Sequence, residues 1–128
     1  MQIAYITLLV HDQEDALRFY TEKLGWEKRE EERSADGGLW VTVAPHGQKE
    51  VQFTLRKAEG GELPLVGKQV GKEFLCTLLT NDCQKEFEAL RSRGVGFPQP
   101  PRTVPFGILA TLEDLYGNLL DLWQRPSA

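Results

Sequence analysis

The strongest constraint on the fold is a pattern that the chain contains twice. An apolar run ending before Asp12 is followed by a helix-like stretch that stops at Gly25, and the same order returns around Asp82 and Gly94. The copies are offset by 70 residues at the aspartates (12 and 82) and by 69 at the glycines (25 and 94). Short β-like runs follow each copy. Such a repeat predicts two related modules, and pockets tend to form where modules meet.

The first copy predicts a strand, a helix and an antiparallel meander. Residues 4–10 are apolar with β-branched members, which is typical of a strand buried on both faces. The carboxylate of Asp12 is placed to cap the helix that follows. Beyond a charged stretch at 28–33, turn residues separate the β-like runs 39–44 and 51–56.

The second copy resumes the order with a predicted strand at 74–80 and a helix capped by Asp82. A hairpin of 107–112 and 119–123 closes it, turned by the sequence Asp-Leu-Tyr-Gly-Asn. Cys76 lies in the predicted strand and Cys83 at the start of the helix. That arrangement matches neither a close-spaced zinc pair nor a disulfide framework, so both thiols are expected to be reduced and partly buried.

Length and composition predict one domain over 1–128, with module one at 1–57, a linker at 58–72 and module two at 73–125. A chain of 128 residues can bury a core without disulfide or metal staples. The linker is rich in Gly and Pro and poor in bulky apolar residues.

Charge and hydropathy exclude two classes of partner. The net charge of −4 provides no broad basic surface, so nucleic acid is not expected as a partner. No apolar run approaches the roughly 20 residues of a membrane span, and the first ten residues lack the features of a signal peptide. A cytoplasmic location is expected.

Two stretches resemble the vicinal oxygen chelate superfamily of glyoxalases, bleomycin-resistance proteins and extradiol dioxygenases. Val10-His11-Asp12, Phe19-Tyr20 and Leu24-Gly25-Trp26 are similar to the family's opening stretch. Pro105-Phe106-Gly107 and Asp114-Leu115-Tyr116-Gly117-Asn118 are similar to its closing stretch. The resemblance runs over nearly the whole chain. It implies an α+β fold in which two βαβββ modules form an open, cup-shaped mixed sheet around a cavity, commonly in a homodimer.

The resemblance also implies four positions that carry metal ligands, typically two His and two Glu, in metal-dependent members. In this chain they are occupied by Tyr5, Gln52, Leu75 and Asp121. Phenol, amide and aliphatic side chains replace most of the donor strength that a divalent ion requires. His11 lies where strand passes into helix and His46 in a turn, so neither is expected on a cavity-facing strand. The hypothesis is therefore that the protein uses no metal and no cofactor.

Strand alternation and the resemblance together predict the residues that face the cavity. The predicted ligand-binding residues are Tyr5, Thr7, Gln52, Thr54, Arg56, Asp121 and Trp123, with Arg102 and Phe106 contributed by the Pro-rich segment 98–105 near the cavity mouth. Arg56 is expected to pair with an acid on a ligand or with Asp121. The alternative is that Tyr5, Gln52 and Asp121 only hydrogen-bond one another in a filled core.

Two functions follow from these residues. The preferred hypothesis is a metal-free, bleomycin-resistance-like protein that binds an aromatic small molecule against Trp40, Phe106 or Trp123. The alternative is a glyoxalase-like lyase or isomerase, either metal-free with Asp121 or Tyr5 transferring a proton, or a divergent metal-dependent form.

Overall fold

The computed structural model describes residues 1–127 as two compact units that divide between Gly67 and Lys68. Each unit has one strand, one helical segment and then three strands, and each carries its own mixed four-stranded sheet. The expected α+β class with two βαβββ modules is confirmed. The division falls inside the segment 58–72.

The first unit is built on a sheet in the order β1-β4-β3-β2, in which β1 and β4 are parallel and the other neighbours antiparallel. Its elements are β1 (Tyr5–Val10), α1 (Gln13–Arg18) continued by a π-helical turn (Phe19–Lys23), β2 (Glu27–Arg33), β3 (Leu39–Ala44), β4 (Gln52–Lys57) and a 3-10 helix (Gly60–Leu65).

The helical segment begins and ends where the sequence predicts. The Asp12 side chain accepts a hydrogen bond from the backbone N–H of Asp15 at 2.8 Å. Gly25 has a φ of 76°, the left-handed conformation that favours glycine. The π-helical turn, in which the N–H of Leu24 donates to the carbonyl of Phe19 at 3.1 Å, lies between them.

Apolar side chains from α1 and one face of the sheet form the core of the first unit. Fully buried members include Leu8, Val10, Ala16, Tyr20, Val41, Val43 and Leu55. Trp26 joins Tyr20 to Phe53, with ring centroids 5.0 Å and 5.6 Å apart. The prediction that 4–10 is buried on both faces is wrong for its first half. Tyr5 and Ile6 are exposed, because β1 is an edge strand of its sheet.

The charged stretch of the first unit is strand β2, which the sequence pattern alone does not mark as a strand. It forms the other edge of the sheet and pairs with β3, with a bulge between Lys28 and Glu30. Charged side chains are common on edge strands because they oppose pairing with other chains.

The second unit repeats the arrangement in the order β5-β8-β7-β6. Its elements are β5 (Cys76–Leu79), α2 (Cys83–Ser92), β6 (Gln99–Val104), β7 (Gly107–Glu113) and β8 (Leu119–Gln124). Asp82 caps α2 by accepting from the N–H of Lys85 at 3.0 Å, and Gly94 follows the helix with a φ of 90°. Most of the Pro-rich segment is β6, where an edge position and a bulge accommodate the prolines.

The core of the second unit is formed by α2 and the apolar face of its sheet. Its buried members include Cys83, Phe87, Leu90, Val95, Ala110, Leu112, Leu120 and Leu122. Asp114 organises the hairpin, because its carboxylate accepts from the N–H groups of Tyr116 (3.0 Å) and Asn118 (2.9 Å). Both cysteines are free, and burial raises the pKa of Cys76 to about 12. In the described part of the chain, no helix is long and apolar enough to cross a membrane.

Candidate functional site

The two faces of the first sheet differ in chemistry. Strand register places Tyr5 beside Gln52, and Thr54 between Thr7 and Thr42. These residues therefore share one face, and the alternating residues on the other face form the apolar core. The polar face is where the sequence places the first-module ligand residues.

Strands β3 and β4 separate towards one end of this sheet. They are paired at Thr42–Thr54 and Val43–Phe53, and the described pairing does not continue to Leu39 and Leu55. Where the strands part, the Gln13 side-chain amide donates 2.8 Å hydrogen bonds to the carbonyls of both Leu39 and Leu55. Gln13 thus bridges the two strands beyond their described pairing and supplies a hydrogen-bond donor to both carbonyls.

A pocket of about 770 Å³ lies at this gap. Its size falls within the range of roughly 300 to 1,000 Å³ that holds drug-sized ligands. The wall includes Tyr5, Thr7, His11, Gln13, Arg33, Leu39, Trp40, Thr54, Leu55 and Arg56. Four of the predicted ligand-binding residues are thereby brought together in one wall: Tyr5, Thr7, Thr54 and Arg56.

Two aromatic rings form a corner of the pocket. The rings of Tyr5 and Trp40 are nearly perpendicular, at 82°, with centroids 5.1 Å apart. The carboxylate of Glu30 accepts from the Tyr5 hydroxyl at 2.9 Å and 3.0 Å, and from the Trp40 indole N–H at 3.0 Å. One side chain of β2 therefore orients both rings. Because their polar hydrogens are used, the rings offer mainly their faces and edges to a ligand.

These hydrogen bonds also set the charge states at the corner. Donation from Trp40 and Tyr5 lowers the pKa of Glu30, so its carboxylate is ionised at neutral pH. The same hydrogen bond raises the pKa of Tyr5, and the nearby negative charge acts in the same direction. A phenol held in its protonated form is a poor proton acceptor. This does not favour Tyr5 as a catalytic base.

Gln52 supports the polar face from within the sheet. It is half-buried, and its side-chain oxygen accepts from the Thr42 hydroxyl at 2.5 Å. The Thr42 oxygen in turn accepts from the backbone N–H of Glu30 at 3.1 Å. Gln52 thus helps to anchor the strand segment that carries Glu30.

Arg56 has a partner other than those expected. Its guanidinium pairs with Glu62 of the 3-10 helix, with Nη2 and Oε2 3.2 Å apart. Arg33, also in the pocket wall, donates to the carbonyl of Gly37 at 3.1 Å. Each of the two cations therefore has a hydrogen-bonding partner within the first unit.

Sequence reasoning missed several residues of this site, and three of them are instructive. His11 was not expected to face a cavity, yet it lines the pocket because the pocket extends to the junction of β1 and α1. Gln13 gives no sequence signal, since an amide at a helix start is ordinary. Glu30 is one of several acids in β2, and only the strand register distinguishes it from Glu31 on the opposite face.

The remaining predicted residues lie in the second unit. Asp121 of β8 lies beside Thr77 of β5, and the hydroxyl of Thr111 is 3.4 Å from its carboxylate. Burial raises the pKa of Asp121, while Thr111 and the Arg102 charge act in the opposite direction. Leu75, which the resemblance aligns with a ligand position, directly precedes β5, and its backbone N–H donates to the carbonyl of Leu119 at 2.7 Å.

The two predicted aromatic residues of the second unit, Phe106 and Trp123, are joined by a hydrogen bond. The indole N–H of Trp123 donates to the carbonyl of Phe106 at 2.9 Å, and Arg125 lies 5.2 Å from the Trp123 ring centroid. Phe106 is exposed in the turn between β6 and β7. Arg102 lies 3.4 Å from the side-chain oxygen of Gln99.

The donor set does not fit the metal site that the resemblance implies. Over residues 1–127, no three His, Cys, Asp or Glu side chains are grouped so that they could hold an ion. The Tyr5 hydroxyl donates to Glu30, and the Gln52 oxygen is bonded to Thr42. A protonated phenol and a neutral amide are weak ligands for divalent ions.

One family model matches almost the whole chain. Residues 2–122 match the model of the Glyoxalase/Bleomycin resistance protein/Dioxygenase superfamily. An uncharacterized protein of Shewanella frigidimarina (strain NCIMB 400) is 35% identical over 124 residues, covering 95% of this chain and 92% of the relative.

Two solved structures are similar over almost their full length. The crystal structure of UcmS2 has a TM-score of 0.85 at 32% identity, covering 96% of this chain and 97% of that chain. The structure of TnmS3, an antibiotic binding protein from Streptomyces sp. CB03234, has a TM-score of 0.81 at 27% identity, covering 98% and 97% respectively.

Proposed function

This chain belongs to the Glyoxalase/Bleomycin resistance protein/Dioxygenase superfamily, and on that premise we propose that it binds a planar aromatic small molecule in the metal-free pocket of its first unit. The observation that carries the proposal is the perpendicular pair of Tyr5 and Trp40 in the pocket wall, oriented by Glu30. A planar ligand that stacks on one of these rings directs its edge at the face of the other, and aromatic groups favour both arrangements. The similarity to TnmS3, described as an antibiotic binding protein, supports this class of function.

The lining adds polar selectivity to the aromatic contact. Arg33, Arg56 and Lys57 lie in the wall together with Asp12, Glu14 and Glu59. Three basic and three acidic groups balance, so net charge is not the main basis of recognition. Shape and aromatic stacking are proposed to supply most of the affinity, and individual polar groups orient the ligand.

The test of this proposal is the affinity for a planar aromatic probe, 9-fluorenone, measured by equilibrium dialysis. Trp40→Ala is expected to weaken binding about tenfold, because a stacked aromatic pair contributes roughly 0.5 to 1.5 kcal/mol beyond area burial. Leu115→Ala is the matched control, since Leu115 is an exposed apolar residue in a turn of the second unit. Undetectable binding to the wild-type protein, or equal losses in the two variants, would contradict the proposal.

A lyase or isomerase activity is the alternative function, and Asp121 is the residue that favours it. Burial raises its pKa, as a carboxylate base for neutral pH requires. The proposed assay is turnover of a methylglyoxal–thiol adduct. Asp121→Asn would abolish turnover while leaving fluorenone binding unchanged. Turnover that survives in this variant would exclude Asp121 as the base.

We also propose that the protein acts as a homodimer in the cytoplasm, without a nucleic-acid partner. Apolar side chains on edge strands support the dimer, since Ile6 of β1 and Leu79 of β5 are exposed. The two free cysteines are compatible with a reducing compartment. Light scattering coupled to size-exclusion chromatography tests the dimer: a mass near 29 kDa, twice the 14.5 kDa of one chain, is expected.

A further inference from the structure

The hydroxyl of Thr54 is an unusual feature of the pocket wall. Thr54 is 8% exposed, and its Oγ1 has no hydrogen-bond partner among the protein groups of residues 1–127. Its neighbour Thr42 is even more buried, but that hydroxyl is bonded to Gln52 and to the backbone of Glu30. Buried polar groups in folded proteins nearly always have a partner, so an unpaired hydroxyl in a binding pocket points to a ligand atom.

The other nearby donors of the pocket are already engaged. The Tyr5 hydroxyl and the Trp40 indole N–H both donate to Glu30. The Gln13 amide donates to two backbone carbonyls. The hydroxyl of Thr54 therefore stands out beside the aromatic corner as a donor whose hydrogen is not committed within the protein.

We infer that the Thr54 hydroxyl is the specificity-determining hydrogen bond of the pocket, and that the ligand is a planar aromatic molecule with a carbonyl oxygen on its ring edge. This rests on the proposed binding function and defines its ligand class. Thr54 lies in the pocket wall while Oγ1 itself is covered. To contact the ligand, the hydroxyl has to rotate about the Cα–Cβ bond to another staggered position. The carbonyl of the ligand then satisfies the hydroxyl.

A pair of matched probes tests this assignment. Fluorene and 9-fluorenone share one planar ring system, and only the second has a carbonyl. The wild-type protein is expected to bind 9-fluorenone about five- to tenfold more tightly in equilibrium dialysis, the range of one neutral hydrogen bond. Thr54→Val replaces the hydroxyl by a methyl group of similar size. It should remove this preference while the affinity for fluorene stays within about twofold of wild type.

Two further variants and a second measurement complete the test. Thr54→Ser keeps the hydroxyl and should retain the preference, and Thr54→Ala should lose it as Thr54→Val does. The melting temperature of Thr54→Val should equal or exceed that of wild type, because an unsatisfied buried hydroxyl is removed. A purely structural hydroxyl would give the opposite result, a loss of stability with no change in ligand preference.

The outcomes separate the two levels of the proposal. Equal binding of fluorene and 9-fluorenone by wild type, or an unchanged preference in Thr54→Val, would overturn the role of Thr54 and leave the binding function intact. Absence of binding for both compounds would overturn the binding function and the role of Thr54 with it.

Discussion

The two units have the same order of strands, but the hairpin β3–β4 of the first unit differs from the equivalent hairpin β7–β8 of the second. In the second unit β7 and β8 remain paired in register from Ile108–Gln124 to Glu113–Leu119. In the first unit the described pairing of β3 with β4 is confined to Thr42–Thr54 and Val43–Phe53, and the pocket lies where the strands part. One topology thus supports a closed hairpin and an opened one.

The largest effect is expected where the second hairpin is most tightly packed. Gly107 has a φ of 132°, and a Cβ there would lie 2.0 Å from the carbonyl oxygen of Gln124 and 3.0 Å from Nε1 of Trp123. Since the first of these atoms is backbone, β7 and β8 would have to separate. Gly107→Ala is expected to lower the free energy of unfolding by about 3 to 5 kcal/mol, measured by urea denaturation.

Gly117→Ala is the control for this substitution. Gly117 also has a positive φ, 91°, but a Cβ there would meet nothing within 4 Å. Its cost is that of the left-handed conformation alone, about 1 to 2 kcal/mol. Equal losses in the two variants would show that close packing at Gly107 is not what keeps the second hairpin closed.

The second largest effect is expected at the bridge across the opened hairpin. Gln13→Ala removes the donor shared by the carbonyls of Leu39 and Leu55 and should cost roughly 1 to 3 kcal/mol. Amide hydrogen exchange should increase around both residues, and affinity for 9-fluorenone should fall. Gln84→Ala, at an exposed position near the start of α2, should change stability by less than about 0.5 kcal/mol. An unaltered pocket in Gln13→Ala would show that the strands separate without the bridge.

A smaller effect is expected from the residue that orients the aromatic corner. Glu30→Ala removes the acceptor of both Tyr5 and Trp40 and should weaken 9-fluorenone binding about three- to tenfold, since the rings lose their fixed orientation. The indole N–H resonance of Trp40 should shift in the NMR spectrum of the free protein. Glu31→Ala, one residue along on the opposite face, is the control and should change neither the affinity for 9-fluorenone nor the Trp40 resonance. A Trp40 resonance that is unmoved in Glu30→Ala would show that Glu30 does not hold the ring.

The smallest effect concerns the turns of the two hairpins. Both turns contain a glycine with a positive φ, Gly47 (82°) and Gly117 (91°), but in the first turn Val51, just before β4, also has a positive φ, 59°. A β-branched residue in this region is strained by about 1 to 2 kcal/mol, and glycine costs roughly 0.5 to 1 kcal/mol in chain entropy. Val51→Gly should therefore raise the free energy of unfolding by about 0.5 to 1 kcal/mol in urea denaturation. A destabilised variant would indicate that packing of the Val51 side chain outweighs the strain.

The ends of the helices could be predicted from the sequence because they depend on residues close together along the chain. Asp12 and Asp82 cap helices, and Gly25 and Gly94 follow them in left-handed conformation, because these roles depend on neighbouring residues alone. Strand alternation, together with the family resemblance, likewise predicted that Tyr5, Thr7, Thr54 and Arg56 face one cavity. Glu30 could not be selected in this way, because its role depends on a bulge and on the register between β2 and β3.

The sequence by itself determined the two βαβββ modules, the ends of their helices and the family, because caps, turns and periodic apolar residues act over short distances along the chain. The tertiary structure decided where the pocket opens and which groups within it are engaged. Gln13 bridges Leu39 and Leu55, and Glu30 joins Tyr5 to Trp40, although these partners lie far apart in the sequence. Hydrogen bonds of this kind exist only once strand register and helix packing have brought their partners together.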